Sequence, residues 1–264
     1  MRSAPEPAAR GATLAYTMPA AADVRFRTSD TIDVVMQMPM GGGEMKMQIG
    51  SAGTVRMTFV PAGEALEVHA RYEEFSGRLS NPMMGDVRAG LAEVAGEFVF
   101  RLDRGGEVET LSGPTVVEKV VQILGSAEPF RGFFPPLPRR VVARGETWTD
   151  TIRVEESTDE LEIRRESIVS SAWTSDTVVA GRMLRVIRGR AATTLSVLGS
   201  AEDAVFAQQL VGSENTTALW DPERKLIVDV MEGGELSGTV DIAAAGMSMP
   251  IRMTHRGRTR LLDR

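Results

Sequence analysis

The chain contains no cysteine and only two histidines, His69 and His255, among its 264 residues. The absence of thiols excludes disulfide bonds, thiolate nucleophiles and metal centres built on cysteine. A histidine-based metal site would need nearly every imidazole in the chain, and neither histidine stands in a catalytic or metal-binding motif. We therefore expect both histidines to be surface or hydrogen-bonded side chains.

Other absences narrow the function further. No apolar run reaches the ~18 residues that a membrane span needs, so the sequence predicts no transmembrane segment. Acidic residues outnumber basic ones by 36 to 30, which gives a net charge of −6 and argues against nucleic acid as a partner. The chain has neither a nucleophile elbow nor a phosphate-binding loop. These absences predict a protein that is not an enzyme and has no cofactor.

What the sequence does contain is mostly alternation of apolar and polar residues with period two, the period of a β-strand. Residues 31–39, 44–49, 54–60 and 66–79 show it, with turn signals at Gly41-Gly42-Gly43 and Pro61-Ala62-Gly63. Apolar residues at helical spacing predict a helix over 82–95 on Met83, Met84, Val87, Leu91 and Val94. A second helix is predicted between Pro114 and Gly125.

The second half of the chain is predicted to be strands throughout, at roughly 148–154, 160–172, 178–198, 203–220, 225–232, 236–243 and 247–262. Turns are predicted at Ser175-Asp176, Gly199-Ser200, Asp221-Pro222 and Gly233-Gly234. A hairpin is predicted around Asp103-Arg104-Gly105-Gly106. The fold class is therefore mainly β, as a large curved antiparallel meander or open barrel with two short helices.

This organisation predicts four segments. Residues 1–12, rich in alanine, proline and charge, form a flexible tail. Residues 13–125 form an N-terminal β-meander half with both helices, and 147–264 form a C-terminal half. Residues 126–146 connect the halves, because their prolines exclude helix and central strand. The connector residues Phe130, Phe133, Phe134, Pro135, Pro136 and Leu137 form either a buried plug or a docking edge for a partner protein.

Methionine alternates along two strands joined by a tight turn. Met36, Met38 and Met40 precede the turn, Met45 and Met47 follow it, and Met57 lies further along the second strand. Alternation places such residues on one face of the sheet. Flexible thioethers are suited to an adaptable apolar pocket, and they are also ligands for Cu(I). This face is therefore predicted to bind an apolar small molecule or lipid, with a Cu(I) site as an alternative.

The passage Leu137-Pro138, followed by Gly145-Glu146-Thr147-Trp148, resembles a family of uncharacterised bacterial exported proteins, often lipoproteins. In that family a Leu-Pro…Gly-Asp/Glu-x-Trp passage joins two β-rich halves. The expected architecture is also similar, more loosely, to periplasmic lipoprotein carriers. The resemblance implies a periplasmic or membrane-extrinsic location, although the chain shows no lipobox cysteine, and a cytoplasmic location stays open.

Three functions follow as hypotheses. The first is a non-catalytic extracytoplasmic protein that binds a lipid-like ligand on a concave sheet face. The second is an extrinsic scaffold subunit of a membrane-bound protein complex, docking through residues 130–137. The third is a methionine-rich Cu(I)-binding protein.

Overall fold

The computed structural model describes residues 11–39, 42–82, 85–157, 161–201 and 204–262. It contains a two-stranded sheet of β1 (Ala12–Thr13) and β8 (Val141–Val142), and one large antiparallel sheet. The large sheet is formed by β2 (Asp23–Gln37), β3 (Glu44–Ala62), β4 (Ala65–Asn81), β5 (Gly85–Gly90), β6 (Phe98–Leu102), β7 (Val108–Ser112), β9 (Thr147–Ser157), β10 (Leu161–Val179), β11 (Arg182–Ala201), β12 (Ala204–Asp221), β13 (Leu226–Ile242) and β14 (Met247–Leu262).

The twelve strands of the large sheet follow the order β7-β6-β4-β3-β2-β14-β13-β12-β11-β10-β9, with β5 paired to β4. Most neighbours are consecutive in sequence, as in a meander. The exceptions are β6, which lies against β4, and the central pair, in which β2 lies against β14. The mainly β, antiparallel fold predicted from the alternation pattern is confirmed, and the sheet is not closed into a barrel. The division into two halves joined by residues 126–146 stays a prediction.

One predicted helix is present and the other is wrong. Helix α1 (Glu118–Leu124) ends at Gly125, whose φ of 70° is left-handed, as the predicted stop requires. The segment predicted as a helix over 82–95 instead forms β5 and a 3-10 turn at Leu91–Val94; Met83 and Met84 lie outside the described residues. Two glycines weaken a helix there, while the edge of β4 offers backbone partners, with Val87 opposite Leu79.

Three predicted turns are also wrong, because the strands continue through them. At Ser175-Asp176 the sheet accommodates a β-bulge, and β10 turns only at Ala180 and Gly181. Strand β11 continues past Gly199-Ser200 to Ala201. Strand β13 runs through Gly233-Gly234, which pair with Asn215 and Glu214 of β12. The turn at Asp221-Pro222 and the hairpin around 103–106 are confirmed.

The glycines of β12 and β13 sit where neighbouring strands approach closely. A β-carbon on Gly238 would lie 1.8 Å from the carbonyl oxygen of Gln209, and one on Gly212 would lie 2.0 Å from that of Glu235. No side chain fits at such distances. Glycine in these strands therefore permits the close approach of neighbouring backbones rather than marking the ends of the strands.

One face of the sheet is concave. A single cavity is lined by residues from β4, with Tyr72, round to β9, with Ile152 and Val154. Strands at such distant positions share a cavity only because the sheet curls around it. We call this the inner face; it carries Phe26, Val55 and Met57 of the buried core, while the opposite face is called the outer face.

Candidate functional site

The inner face has three regions along the strand direction. One end is closed by an aromatic plug, which consists of Tyr16, Phe130, Phe133, Phe134 and Leu137. The middle carries a polar belt of Asp30, Arg165, Glu214, Glu232 and His255. The other end is a methionine end, where Met36, Met38, Met47, Met249 and Met253 pack around Val34, Leu210 and Leu236.

The aromatic plug is part of the main core. Phe130, Phe134 and Leu137 are buried, and the ring of Phe134 meets that of Tyr16 edge to face at 5.3 Å. Two backbone carbonyls of the proline-rich segment accept hydrogen bonds from side chains. The Tyr16 hydroxyl donates to Pro135 O (2.9 Å), and Trp148 Nε1 donates to Pro136 O (3.1 Å). This packing corresponds to the buried alternative for the connector.

The remaining connector residues, Phe133, Pro135 and Pro136, are half-buried and line the cavity. Phe133 packs edge to face on Phe26 at 5.4 Å. The six connector residues therefore contribute packing and one wall of the inner face. Their docking of a partner stays a prediction.

The structure brings most of the predicted methionines together. Met36 lies directly opposite Met45, and Met47 lies opposite Val34, so the alternation correctly places them on one face. Met36, Met38, Met45 and Met47 are all half-buried, and Met40 lies outside the described residues. Met57 shares their face but is fully buried in the main core at the other end, so it packs the fold instead of lining accessible space. Met249 and Met253 of β14, which sequence reasoning did not select, complete the methionine end.

The polar belt crosses the middle of the inner face. Its strand positions put Glu214 opposite Gly234 and His255 opposite Ile32, so these charged side chains share a face with the apolar ends. Arg165 Nη2 lies 2.6 Å from Glu214 Oε2, which also accepts a hydrogen bond from Thr193 Oγ1 at 3.0 Å. The cavity against the belt has a volume of about 320 Å³.

Two belt residues titrate away from their usual ranges. His255 Nε2 lies 2.8 Å from Asp30 Oδ1. Burial acts to lower the pKa of His255, but the contact with Asp30 and the carboxylates of Glu232 and Glu214 outweigh it, and the pKa lies above its usual value. Burial within the curled sheet, together with the nearby carboxylates of Asp30 and Glu214, raises the pKa of the Glu232 carboxyl, although part of this residue is exposed to solvent.

Glu232 is thus an acceptor available to a molecule in the cavity, whereas Asp30 already contacts His255. Within the described part of the chain, the Glu232 carboxylate has no hydrogen-bond or ion-pair partner. The other histidine, His69, lies on the outer face between Glu67 (2.9 Å) and Glu97 (3.2 Å). Hydrogen bonds to Glu97 and Glu67 raise the pKa of His69. In the described ranges no group of three His, Asp or Glu side chains is arranged to hold a metal ion.

Comparison with known proteins assigns the chain to no family. No protein-family model matches the chain, and no curated protein matches it. Among solved structures, a DUF1329 family protein from Desulfovibrio piger is similar over 89% of this chain and 84% of its own, at 8% identity and a TM-score of 0.18. None of the helices that the structure describes is long and apolar enough to cross a membrane.

Proposed function

We propose that this chain is a non-catalytic binding protein that holds an apolar, lipid-like ligand on the inner face of its sheet. The observation that carries the proposal is the methionine end. There, Met36, Met38 and Met47 are only half-buried, although they face inward on a curled sheet. Flexible thioether side chains suit ligands of varied shape.

The arrangement along the inner face supports an amphiphilic ligand. A tail on the methionine end would extend from the polar belt, where Asp30, Glu232 and His255 offer hydrogen-bonding partners to a polar head. The aromatic plug closes the opposite end. Binding sites of this kind combine apolar walls with a few placed polar groups. An extracytoplasmic location for this activity rests on the family resemblance and is part of the proposal.

The test is displacement of a fluorescent fatty acid from the purified protein. We expect saturable binding that is weakened about five- to tenfold by Met36→Gln or Met47→Gln, since a ligand tail would then bury an amide. Met183→Gln is the matched control, because Met183 is 65% exposed beside the β10–β11 turn. Absence of saturable binding, or equal weakening by the control, would contradict the proposal.

A second candidate function is Cu(I) binding at the same end. Met36 and Met45 are directly opposite each other, and Met38, Met47, Met249 and Met253 share their face. Several soft thioethers in one cluster are a suitable ligand set for a monovalent soft cation. Titration with Ag(I) should show one tight site that Met36→Leu with Met45→Leu removes and Met183→Leu leaves intact. An unchanged titration of the double variant would exclude this function.

The scaffold hypothesis has no equivalent support from the geometry. Its docking residues Phe130, Phe134 and Leu137 are buried. Isolation of the protein from its own membranes in gentle detergent, followed by native mass spectrometry, separates the alternatives. A ligand-binding protein would carry a removable small adduct, whereas a scaffold subunit would appear in a large protein assembly.

A further inference from the structure

A basic depression lies on the outer face of the sheet, on the side opposite the polar belt. It has a volume of about 480 Å³ and is lined by β14, β2, β3 and β4. Arg27, Arg258 and Arg260 line it, together with the exposed residues Ser29 and Ser76. The central seam of the sheet, where β2 pairs with β14, runs through it.

Two arginines of this depression lie where their positive charges repel each other when no anion is bound. Arg27 lies directly opposite Arg260 in the pairing of β2 with β14. Like charges directly opposite on adjacent strands destabilise a sheet. The chain as a whole has a net charge of −6, so this concentration of positive charge runs against its composition.

Nearby carboxylates neutralise only part of the charge. Asp229 serves two arginines at once, with Oδ2 lying 2.7 Å from Arg258 Nη2 and 3.4 Å from Arg260 Nε. Glu74 accepts a hydrogen bond from Thr54 Oγ1 at 2.8 Å. Across the residues that the structure describes, no carboxylate lies within 4.0 Å of the Arg27 guanidinium.

We propose that this depression binds a phosphate group. Guanidinium groups present paired N–H donors that match phosphate oxygens, and the hydroxyls of Ser29 and Ser76 add neutral donors. An anion between Arg27 and Arg260 would remove their repulsion. A depression of about 480 Å³ has room for a phosphate carried by a larger molecule, either a soluble organic phosphate or a phospholipid headgroup. This site is independent of the ligand proposed for the inner face.

Calorimetric titration with inorganic phosphate tests the site. The double variant Arg27→Gln with Arg260→Gln should bind at least about tenfold more weakly, since it loses two charge-assisted contacts. Arg190→Gln is the control, because Arg190 is an exposed arginine on the outer face of β11. In phosphate-free buffer, Arg27→Gln alone should raise the melting temperature, because it removes the charge repulsion between Arg27 and Arg260. Phosphate should then raise the melting temperature of this variant less than that of the natural protein.

Flotation with vesicles separates the two sources of phosphate. Binding to phosphatidylglycerol vesicles but not to phosphatidylcholine vesicles, lost in the double variant, would assign a lipid headgroup. Phosphate binding without vesicle binding would assign a soluble phosphate ligand. The proposal is overturned if phosphate and both vesicles fail to bind, or if the double variant and Arg190→Gln behave alike in every assay.

Discussion

The two ends of the inner face bury apolar side chains in different ways. At the aromatic plug, rings pack against rings, and the backbone carbonyls of Pro135 and Pro136 receive hydrogen bonds from Tyr16 and Trp148. At the methionine end, Met36, Met38 and Met47 are flexible, half-buried and have no segment packed over them in the described chain. The plug therefore holds the fold together, whereas the methionine end is where the proposed ligand would bind.

The largest expected effect distinguishes these roles by stability. Phe130→Ala should lower the free energy of unfolding by about 3–5 kcal/mol, because Phe130 is buried among several rings. Met47→Ala should lower it by only about 1 kcal/mol, since the side chain is half-buried. Urea unfolding followed by tryptophan fluorescence measures both. Equal losses at the two ends would remove the distinction.

A second prediction concerns the close backbone contact at Gly238, beside the methionine end. Gly238→Ala should lower the free energy of unfolding by about 2–4 kcal/mol, because the new β-carbon would collide with the carbonyl oxygen of Gln209. Gly50→Ala is the control, since a β-carbon there would meet only Asp30 O at 3.7 Å. Thermal unfolding of both variants tests the prediction, which fails if Gly238→Ala is as stable as Gly50→Ala.

The smallest expected effect lies in the polar belt between the ends. Asp30→Asn should lower the pKa of His255, because burial would then be opposed only by Glu232 and Glu214. A raised pKa in the folded state stabilises the protein below the usual histidine pKa of 6.5, and this contribution is lost as pH rises through the folded value. As pH rises from 6.5 through the folded-state pKa of His255, the free energy of unfolding should therefore fall less for Asp30→Asn than for the natural protein.

Proton NMR titration is a direct measurement of this change, because the chain has only two histidines. His69 is an internal control, since Glu97 and Glu67 raise its pKa on the outer face. A His255 pKa that does not move in Asp30→Asn would show that Asp30 does not set it.

Much of the fold could be predicted from local sequence. Alternation identified the long strands and placed Met36, Met38, Met45 and Met47 on one face, and Gly125 marked the end of α1. The helix predicted over 82–95 is wrong because residues 85–90 pair with the edge of β4. This pairing partner lies outside the segment and cannot be inferred from the sequence of the segment itself. Alternation shows which face a residue is on but not how far along the strand it lies from the other residues of a site. For this reason Met57 was grouped with methionines that lie at the other end of the inner face.

The polar belt was missed for a related reason. A predicted turn at Gly233-Gly234 put Glu232 at the end of a strand. A carboxylate at a strand end is ordinarily solvated and does not indicate a binding site. In the structure the strand continues, and Glu232 lies on the same face as Val230 and Leu236. The sequence pattern places Asp30 and Glu214 on the inner face, and these inward charges were the available signal for the polar belt. Using that signal required knowing which glycines lie within a strand and which end it.

The pairing of β2 with β14 bears on how the protein is made. Thr254 of β14 contacts Asp33 of β2 across 221 residues of sequence, while most other strands pair with sequence neighbours. Because β14 is the last strand of the described chain, β2 and β13 each lack one partner strand until residues 247–262 have been synthesised. Unpaired edges recruit strands of other chains. The nascent protein is therefore most prone to aggregation just before its sheet is joined.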